Sequence, residues 1–317
     1  MSWVSDTKLP WWQRFAVSVV KVGKIPDHIA FIMDGNRRFA KKIQVEKAEG
    51  HSRGFEKLSN VLQWCLDLGV KEVTVYAFSI ENFKRSKDEV DALLNLASDK
   101  FDKLIEEKDK LNENGICIRI IGNLEMLPVS LQQKIARAMH VTRMNSRAIL
   151  NVAFAYTSRD EITHSVRTIT EGVNESILDQ EAITDELINR CLHTKHSTNP
   201  DLLIRTSGET RLSDFLLWQV SSTILYFTKI LWPEITIWHL LGAIIQYQRF
   251  YYSMKIPQKF LQTPSGADTS QKSSREQIEH FVSDVDNRHW KRMQELIGQS
   301  NSSRVGDDNS TELNHNL

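Results

Sequence analysis

Arginine recurs in three short segments of the sequence, each directly after a run of apolar and β-branched residues. These segments are residues 34–38, 79–85 and 205–213. In a parallel α/β sheet, ligands bind beyond the carboxyl ends of the strands, where such segments would meet. Guanidinium groups match phosphate oxygens, and backbone N–H groups near Gly35 and Asn36, at a helix N-terminus, would extend the anion-binding surface. The pattern predicts a site for a highly charged ligand, such as two diphosphates, bound by Arg37, Arg38, Arg85, Arg205 and Arg211.

Asp34 ends the first apolar run, where a carboxylate among arginines could ligate Mg²⁺ and bring it to diphosphate oxygens. It could instead be a phosphotransfer nucleophile, but that chemistry requires a second aspartate two residues later, where Asn36 stands. No GxxxxGK motif followed by Ser or Thr is present, so ATP hydrolysis is not indicated. For any single arginine, ordinary surface pairing is the alternative, with Glu81, Glu209 or Asp214 as partner. Three such segments together favour a shared site.

His51 lies at the start of a predicted helix whose apolar face includes Phe55 and Leu58. A lone histidine in such a place is either a structural hydrogen-bonding group or a catalytic residue. Three nearby lysines form either a solvated face or a segment that closes over a bound anion: Lys41, Lys42 and Lys47.

Six short β-branched runs alternate with longer amphipathic stretches. The clearest of these stretches, residues 87–112, carries an apolar stripe from Val90 to Leu111 that either lines a cavity or packs in the core. Gly115 supplies its stop signal. Near-continuous apolar strands between helices predict an α/β fold with a central six-stranded, mostly parallel sheet flanked by helices. The predicted strands are His28–Met33, Glu72–Phe78, Ile116–Ile121, Ala148–Tyr156, Asp201–Arg205 and Ile224–Phe227.

The composition limits the possible functions. With 317 residues, 41% of them hydrophobic, the chain can bury a sizeable core. The 40 basic and 40 acidic residues cancel, which excludes the strongly basic surface of a dedicated nucleic-acid binder and makes any polyanion site local. Three distant cysteines, Cys65, Cys117 and Cys191, indicate buried thiols rather than a disulfide framework or a zinc site.

We expect no membrane-spanning segment and no cleavable signal peptide. The most apolar stretch, residues 230–252, is interrupted by Pro233, Glu234, His239 and Gln246. Near the N-terminus, Gln13 and Arg14 interrupt residues 11–20 where a signal peptide would have its apolar core. The chain is therefore expected on the cytosolic side.

Aromatic residues are sparse after position 256, which separates a main domain, 25–256, from an extension, 257–317. An amphipathic N-terminal segment, 1–24, precedes the main domain. The extension is predicted to hold a linker, one amphipathic helix at 276–297 and a disordered tail. Apolar residues recur along that helix at helical spacing, so it needs a partner surface, either on its own domain or on another chain.

Five blocks of the sequence resemble the signature blocks of the cis-prenyltransferases, the undecaprenyl and dehydrodolichyl diphosphate synthases. Within this family, the chain is most similar to catalytic subunits of the eukaryotic dehydrodolichyl diphosphate synthase complex. The blocks follow the family's order and cover about residues 25–252: HIAFIMDGNRRFAKK (28–42), GHSRGF (50–55), TVYAFSIENFKRSKDEV (74–90), LNVAFAYTSRDEI (150–162) and PDLLIRTSGETRLSDFLLWQ (200–219).

The resemblance implies a hydrophobic tunnel beside the sheet, farnesyl diphosphate as allylic primer, isopentenyl diphosphate as extender and Mg²⁺ as cofactor, with Asp34 as the metal ligand. The implied catalytic residues are Asp34, Asn82, Ser79 and His51. The residues implied to hold the primer diphosphate are Asp34, Gly35, Asn36, Arg37, Arg38 and Arg85. Those implied to hold isopentenyl diphosphate are Asp34, Arg38, Arg85, Arg205, Arg211 and Ser213.

Departures from the family pattern imply a heteromer. Bacterial single-subunit members carry a metal-binding Glu where this chain has Ile224, and they end in an RxG motif that reaches the partner subunit's diphosphates. No RxG follows residues 238–253, and Arg304-Val305-Gly306 lies far along in a polar stretch. A Nogo-B-receptor-like accessory subunit would supply both the RxG motif and a membrane anchor. Lys47 also replaces an Arg that is frequent in the family, which keeps the positive charge but loses the planar guanidinium group that can bind two oxygens at once.

Apolar residues of the N-terminal segment could share one side of a helix, which would rest on a membrane, guard the tunnel mouth or pack on the domain. They are Trp3, Leu9, Trp11, Trp12, Phe15, Val19 and Val20.

The function implied by the resemblance is chain elongation that makes a long polyprenyl diphosphate for dolichol, and hence for protein glycosylation. The enzyme would be peripheral, on the cytosolic face of the endoplasmic reticulum membrane. Two rivals are a non-catalytic scaffold subunit of the same fold and a diphosphate-binding phosphohydrolase. Product length and primer preference depend on tunnel packing that the sequence pattern does not reveal.

Overall fold

Six parallel strands form one sheet in the order β3-β4-β2-β1-β5-β6. The computed structural model describes Trp3 and residues 9–261 and 270–311, without the side chains of 252, 254–274 and 300–311. All six predicted strands are present, with ends shifted by at most one residue. They are β1 (His28–Ile32), β2 (Glu72–Ser79), β3 (Ile116–Ile121), β4 (Ala148–Tyr156), β5 (Leu202–Arg205) and β6 (Ile224–Phe227).

The sheet places the three arginine-bearing segments side by side. Strand β1 lies at the centre and pairs in parallel with β2 on one side and β5 on the other, with Ile29 opposite Val73 and Leu202. Because the strands are parallel, the segments that follow them leave the same edge of the sheet. The three arginine-bearing segments follow β2, β1 and β5, which are neighbours, so the topology brings them together.

Helices cover both faces of the sheet, as expected for parallel strands that are apolar throughout. Short 3₁₀ turns lie at Ile80–Lys84, Leu124–Met126, Gln180–Ala182 and Trp232–Glu234. The helices are α1 (Trp11–Val20), α2 (Asn36–Lys42), α3 (Lys47–Leu68), α4 (Lys87–Glu106), α5 (Lys108–Glu113), α6 (Val129–Thr142), α7 (Ser158–Asn174), α8 (Asp185–Cys191), α9 (Ile237–Leu261) and α10 (Ser270–Thr311).

The predicted long helix over residues 87–112 is two helices in the structure. Glu107 ends α4 and begins α5, with φ of −91° and ψ of 14°. Its carboxylate accepts a hydrogen bond of 3.0 Å from the backbone N–H of Trp3. Leu111, which ends the apolar stripe, is buried in the core from the second helix. All three cysteine thiols are buried, as predicted.

The C-terminal helix finds its partner on its own domain. Phe281 and Val282 of α10 are buried beside Ile169 of α7 and Leu187 of α8, and Met293 packs on α6. The helix is longer than the expected 276–297, since it begins at Ser270 and continues to Thr311 through part of the stretch expected as a disordered tail. No proline stands between these two residues to interrupt the helix. The remaining linker, 262–269, and residues 312–317 lie outside the described residues.

Candidate active site

The segment after β1 positions Asp34 and the first two arginines. Gly35 has a φ of 111°, a left-handed conformation, and a Cβ there would lie 3.0–3.2 Å from Leu231 and Ser207. This turn begins α2 directly after the strand, so Arg37 and Arg38 stand in its first turn. The carbonyl oxygen of Asp34 accepts a hydrogen bond of 2.7 Å from Thr206, which ties the turn to the segment after β5.

Two glycines of α3 let α2 approach closely. A Cβ at Gly50 would lie 2.6 Å from the carbonyl oxygen of Asn36 and 2.8 Å from Cβ of Ala40. A Cβ at Gly54 would lie 2.4 Å from the side-chain oxygen of Asn36. The GHSRGF block therefore sets the position of α2, and with it the arginines that α2 carries.

Replacing Gly50 by alanine is expected to raise the KM for the anionic substrate about tenfold and to lower the free energy of unfolding by about 1–3 kcal/mol, the usual cost of overpacking. The reason is that the added methyl meets backbone, so α2 must move. Steady-state kinetics and thermal unfolding measure the two effects. The matched control is Gly298→Ala in α10, where nothing lies within 4 Å of the added Cβ. Equal KM values for both variants would contradict this account of the helix pair.

The segment after β2 is a 3₁₀ turn held by two reciprocal hydrogen bonds. The Ser79 hydroxyl accepts the backbone N–H of Glu81 at 3.2 Å, and the side-chain oxygen of Asn82 accepts the backbone N–H of Ser79 at 3.0 Å. This capping box fixes the turn. The backbone N–H of Arg85 then donates to the carbonyl of Asn82, so the turn aims Arg85 at the site.

Glu89 on α4 gathers three cations around one carboxylate. It accepts hydrogen bonds from Arg85 at 2.9 Å and from Lys47 at 3.1 Å, and Arg37 lies 3.6 Å away. Burial, and then the neighbouring Arg37, lower the pKa of Arg85, while Glu89 acts in the opposite direction. An anionic ligand would add negative charge beside this group of cations. Sequence reasoning missed Glu89, because a carboxylate on the polar face of a helix is usually solvated.

The segment after β5 provides the most buried cation. Arg205 is 3% exposed, and one of its terminal nitrogens donates to Ser213 Oγ at 2.7 Å and to the carbonyl of Arg211. Its other terminal nitrogen donates to Asp34 Oδ2 at 3.0 Å, while Nε has no partner. Arg38 donates to the carbonyl of Ser207 at 2.9 Å and lies 3.6 Å from Asp34. The segments after β1 and β5 thus share the Asp34 carboxylate.

One open cavity of about 740 Å³ is lined by every site residue that the sequence predicts. Arg37, Arg85 and Arg205 come from different segments and face the same space. One of the surface pairs considered as an alternative does form, because Arg211 pairs with Glu209. Glu81, another candidate partner for an arginine, pairs with Lys84 instead. The predicted residues that line the cavity are Asp34, Gly35, Asn36, Arg37, Arg38, His51, Ser79, Asn82, Arg85, Arg205, Arg211 and Ser213.

His51 borders this cavity in its neutral form. Burial, and then the charge of Arg85, lower the pKa of His51 to about 4. Its Nε2 is buried without a hydrogen-bond partner among the described residues, as is the side-chain oxygen of Asn36. A buried polar atom without a partner costs free energy, and both atoms belong to residues that line the cavity.

An apolar channel of about 120 Å³ continues from the charged cavity, with Met33, Ala77 and Leu93 among the residues common to both linings. The channel runs between α3 and α4 over the sheet. Leu93, Ala97 and Phe101 of the predicted stripe line it, whereas Leu104 is buried core. The stripe therefore serves both purposes that its pattern allows.

The N-terminal residues divide between the interior and the surface. Trp3 is buried at the channel, where its indole N–H donates to the Lys100 carbonyl at 2.8 Å. On α1, Val17 and Val20 face the domain, while Trp11 is 75% exposed and Phe15 67% exposed. Trp12 stacks on Trp238 of α9 at a centroid distance of 5.5 Å. In the described part of the chain, no helix has the length and apolar character needed to cross a bilayer.

The family model described as putative undecaprenyl diphosphate synthase matches residues 32–253, which include strands β2 to β6 and every residue that lines the charged cavity. The chain belongs to this family of cis-prenyltransferases. It is accordingly an enzyme that transfers prenyl groups, and a role as a non-catalytic scaffold is not favoured.

Curated relatives and solved structures agree with this assignment. The chain is 56% identical over 248 residues to the dehydrodolichyl diphosphate synthase complex subunit DHDDS of Homo sapiens, covering 78% of this chain and 74% of the relative. A complex subunit of Schizosaccharomyces pombe is 45% identical, over 74% of this chain and 90% of the relative. The crystal structure of lavandulyl diphosphate synthase from Lavandula x intermedia, with dimethylallyl diphosphate, matches with a TM-score of 0.67 and 35% identity, over 71% of this chain and 95% of that one.

Proposed function

We propose that the protein is the catalytic subunit of a cis-prenyltransferase that adds isopentenyl diphosphate units to farnesyl diphosphate and makes a long dehydrodolichyl diphosphate. The observation that carries the proposal is the cavity with five arginines that opens into an apolar channel. Such a cavity suits two diphosphates, and such a channel suits a growing hydrocarbon tail. The product would serve dolichol synthesis and hence protein glycosylation.

The primer diphosphate would lie against α2 and the turn after β2. Arg37, Arg38 and Arg85 face this part of the cavity, together with Gly35 and Asn36. When the bond between the allylic carbon and its diphosphate breaks, negative charge grows on the departing oxygens. Guanidinium groups held in place beforehand by Glu89 stabilise that charge without reorganising.

Isopentenyl diphosphate would lie against the segment after β5. Arg205, Arg211 and Ser213 would hold its diphosphate so that the double bond faces the allylic carbon of the primer. Ser79, Asn82 and His51 border the same cavity and would support catalysis by orienting the two substrates. The reaction ends with loss of a proton from the extended chain.

Asp34 fits a role in binding Mg²⁺. Its carboxylate is 32% exposed at the cavity, and Mg²⁺ is commonly held by one or two carboxylates together with substrate phosphate oxygens. A bound Mg²⁺ would neutralise charge on the diphosphate as it departs. Asp34 also pairs with Arg205, so it would link the metal to the isopentenyl site.

The channel would hold the polyprenyl tail and keep water from the reacting carbon. Its walls include Phe55, Leu58, Leu93 and Phe101. Excluding water matters because positive charge develops on the allylic carbon during transfer.

An accessory subunit, Nogo-B-receptor-like in kind, would complete the site. Ile224, in the place of the Glu of bacterial single-subunit members, has a hydrocarbon side chain, so it offers no ligand to a metal or a diphosphate. A partner carrying an RxG motif would add a cation to the cavity.

The chain would have the three parts expected from its sequence, namely an N-terminal segment 1–24, a catalytic domain 25–256 and an extension 257–317.

Membrane contact is proposed through α1, with the enzyme on the cytosolic face of the endoplasmic reticulum membrane. Exposed Trp11 and Phe15 form an apolar face next to Trp238 of α9, which suits the interfacial region of a bilayer. Liposome flotation of the full chain and of a chain starting at Lys24 measures this contact. We expect the shortened chain to lose most of its binding, and undiminished binding would exclude contact through α1.

Incorporation of radiolabelled isopentenyl diphosphate tests the proposed reaction. The full chain, with its accessory subunit, is incubated with farnesyl diphosphate and Mg²⁺, and label extractable into butanol is counted. Elongation gives extractable label that requires farnesyl diphosphate. Release of phosphate without isopentenyl diphosphate, and no extractable label, would instead identify a phosphohydrolase.

A further inference from the structure

The segment that follows Arg211 is folded against its backbone preferences. Ser213, Asp214 and Leu216 all have positive φ, at 52°, 60° and 50°. Residues other than glycine rarely adopt this left-handed region, and Asp tolerates it better than Ser or Leu. Three such residues within four positions persist only where surrounding contacts enforce the conformation. Since Ser213 lies in this segment and also faces the charged cavity, those contacts bear on ligand binding.

The N-terminus of α7 provides the main contacts, and all of them converge on Asp214. The backbone N–H of Ser158 donates to the Asp214 carbonyl at 2.8 Å. The backbone N–H of Arg159 donates to Asp214 Oδ1 at 3.2 Å, and Nε of Arg159 donates to Oδ2 at 2.8 Å. The Asp214 side chain is 11% exposed, whereas the Arg159 side chain that pairs with it is 77% exposed.

These hydrogen bonds also satisfy backbone N–H groups at the start of α7. The first N–H groups of a helix have no partner within it. In α7, Thr157 satisfies one of them, because its hydroxyl accepts the N–H of Asp160, while its carbonyl accepts the first regular helical bond, from Glu161. The N–H groups of Ser158 and Arg159 are left to Asp214. A carboxylate at a helix N-terminus is also favoured by the helix dipole.

Two further bonds tie the same segment. The Ser158 hydroxyl accepts the backbone N–H of Leu217 at 2.9 Å. On the other side, the Tyr76 hydroxyl donates to the Ser213 carbonyl at 3.3 Å. Ser213 Oγ then receives the hydrogen bond of Arg205 at 2.7 Å. The position of the buried guanidinium is thus set through Ser213, whose neighbour Asp214 is fixed to α7.

We propose that Asp214 is a positioning residue for isopentenyl diphosphate, which caps α7 and thereby holds Ser213, Arg211 and Arg205 in their binding arrangement. This inference rests on the proposed function, which places the extender diphosphate on those three residues. Asp214 does not line the cavity, so it acts through its neighbours.

Three substitutions of Asp214 distinguish the effect of losing the helix cap from the effect of backbone strain. Asp214→Gly keeps the left-handed conformation but loses the carboxylate, whereas Asp214→Asn keeps an oxygen for the Arg159 N–H. Asp214→Ala loses both the cap and the tolerance of positive φ. The ion pair with the exposed guanidinium group of Arg159 contributes little to stability, so the neutral Asn side chain is expected to keep the helix cap.

Equilibrium dialysis of radiolabelled isopentenyl diphosphate, with Mg²⁺ and without primer, measures binding to the full chain purified with its accessory subunit. We expect Asp214→Gly and Asp214→Ala to raise the Kd about tenfold, the size of a lost helix cap, and Asp214→Asn to stay within about twofold. Farnesyl diphosphate is expected to bind all three variants with unchanged Kd, which a general loss of structure would not allow. Wild-type binding by Asp214→Gly would overturn the inference.

Two more variants keep the outcome decisive. If the Asp214 variants do not fold, Ser158→Ala, which removes the acceptor for Leu217 and a hydrogen bond to Tyr156, is expected to weaken isopentenyl diphosphate binding severalfold while sparing farnesyl diphosphate. Unchanged binding by Ser158→Ala would then overturn the inference. Arg205→Ala tests the proposed function separately. If Arg205→Ala binds isopentenyl diphosphate as the wild type does, the assignment of the extender site fails, whatever Asp214 does.

Discussion

Replacing Asp34 by alanine is expected to reduce the rate of elongation by about 10²–10³-fold or more, the range seen when one preorganised electrostatic group is lost. Asp34 is the carboxylate that two arginines share, with Arg205 at 3.0 Å and Arg38 at 3.6 Å. Its loss removes the proposed metal ligand and leaves the buried Arg205 charge uncompensated on that side.

Asp34→Asn is the matched control for this prediction. The amide oxygen can still accept the Arg205 hydrogen bond, so we expect Asn to unfold at a higher temperature than Ala. Both variants lack the negative charge and should be similarly slow. An Asn variant with near wild-type turnover in saturating Mg²⁺ would contradict the role of the Asp34 charge, and thermal unfolding shows whether either result reflects misfolding.

Omitting the accessory subunit is expected to lower polyprenyl synthesis by at least about 10²-fold, the scale of losing a cation that stabilises developing charge. The physical reason is that Ile224 has a hydrocarbon side chain where bacterial members carry a Glu, and that no RxG motif directly follows residues 238–253. The measurement compares the chain alone with the chain plus an RxG-bearing subunit, at equal concentrations of chain.

A partner whose RxG arginine is changed to alanine gives the control. It should bind this chain and fail to restore synthesis. Full synthesis by the isolated chain, unchanged when the partner is added, would show that the site is complete without it.

The clustering of the arginines at one edge of the sheet could be predicted from the sequence, because they come directly after apolar strands. The strand order was not available from the pattern, yet it decides whether the three segments meet. Strand β1 between β2 and β5 brings Arg37, Arg85 and Arg205 to one cavity. The resemblance to a family supplied the roles of the residues, which charge and spacing alone left open.

Residues that act through other residues escaped the sequence analysis. Glu89 is a carboxylate on the polar side of a helix, and nothing in its spacing reveals that it pairs with Arg85 and Lys47. The sequence suggests Asp214 only as a surface partner for an arginine, yet it caps a helix that begins more than fifty residues earlier. Such long-range contacts depend on the fold.

Helix ends were also beyond the sequence pattern. The stripe of residues 87–112 has one continuous apolar face, and its pattern does not reveal the break at Glu107, whose carboxylate accepts the Trp3 N–H. The C-terminal stripe required some partner surface, and only the fold shows that Phe281 packs on α7 and α8.

The central claim is that one cavity binds two diphosphates at once, and simultaneous binding tests it most directly. Equilibrium dialysis with an unreactive thiodiphosphate analogue of farnesyl diphosphate and labelled isopentenyl diphosphate gives the number bound per chain. We expect one of each, with Arg37→Ala weakening only the farnesyl analogue and Arg211→Ala weakening only isopentenyl diphosphate. Competition between the two ligands for a single place would contradict the claim.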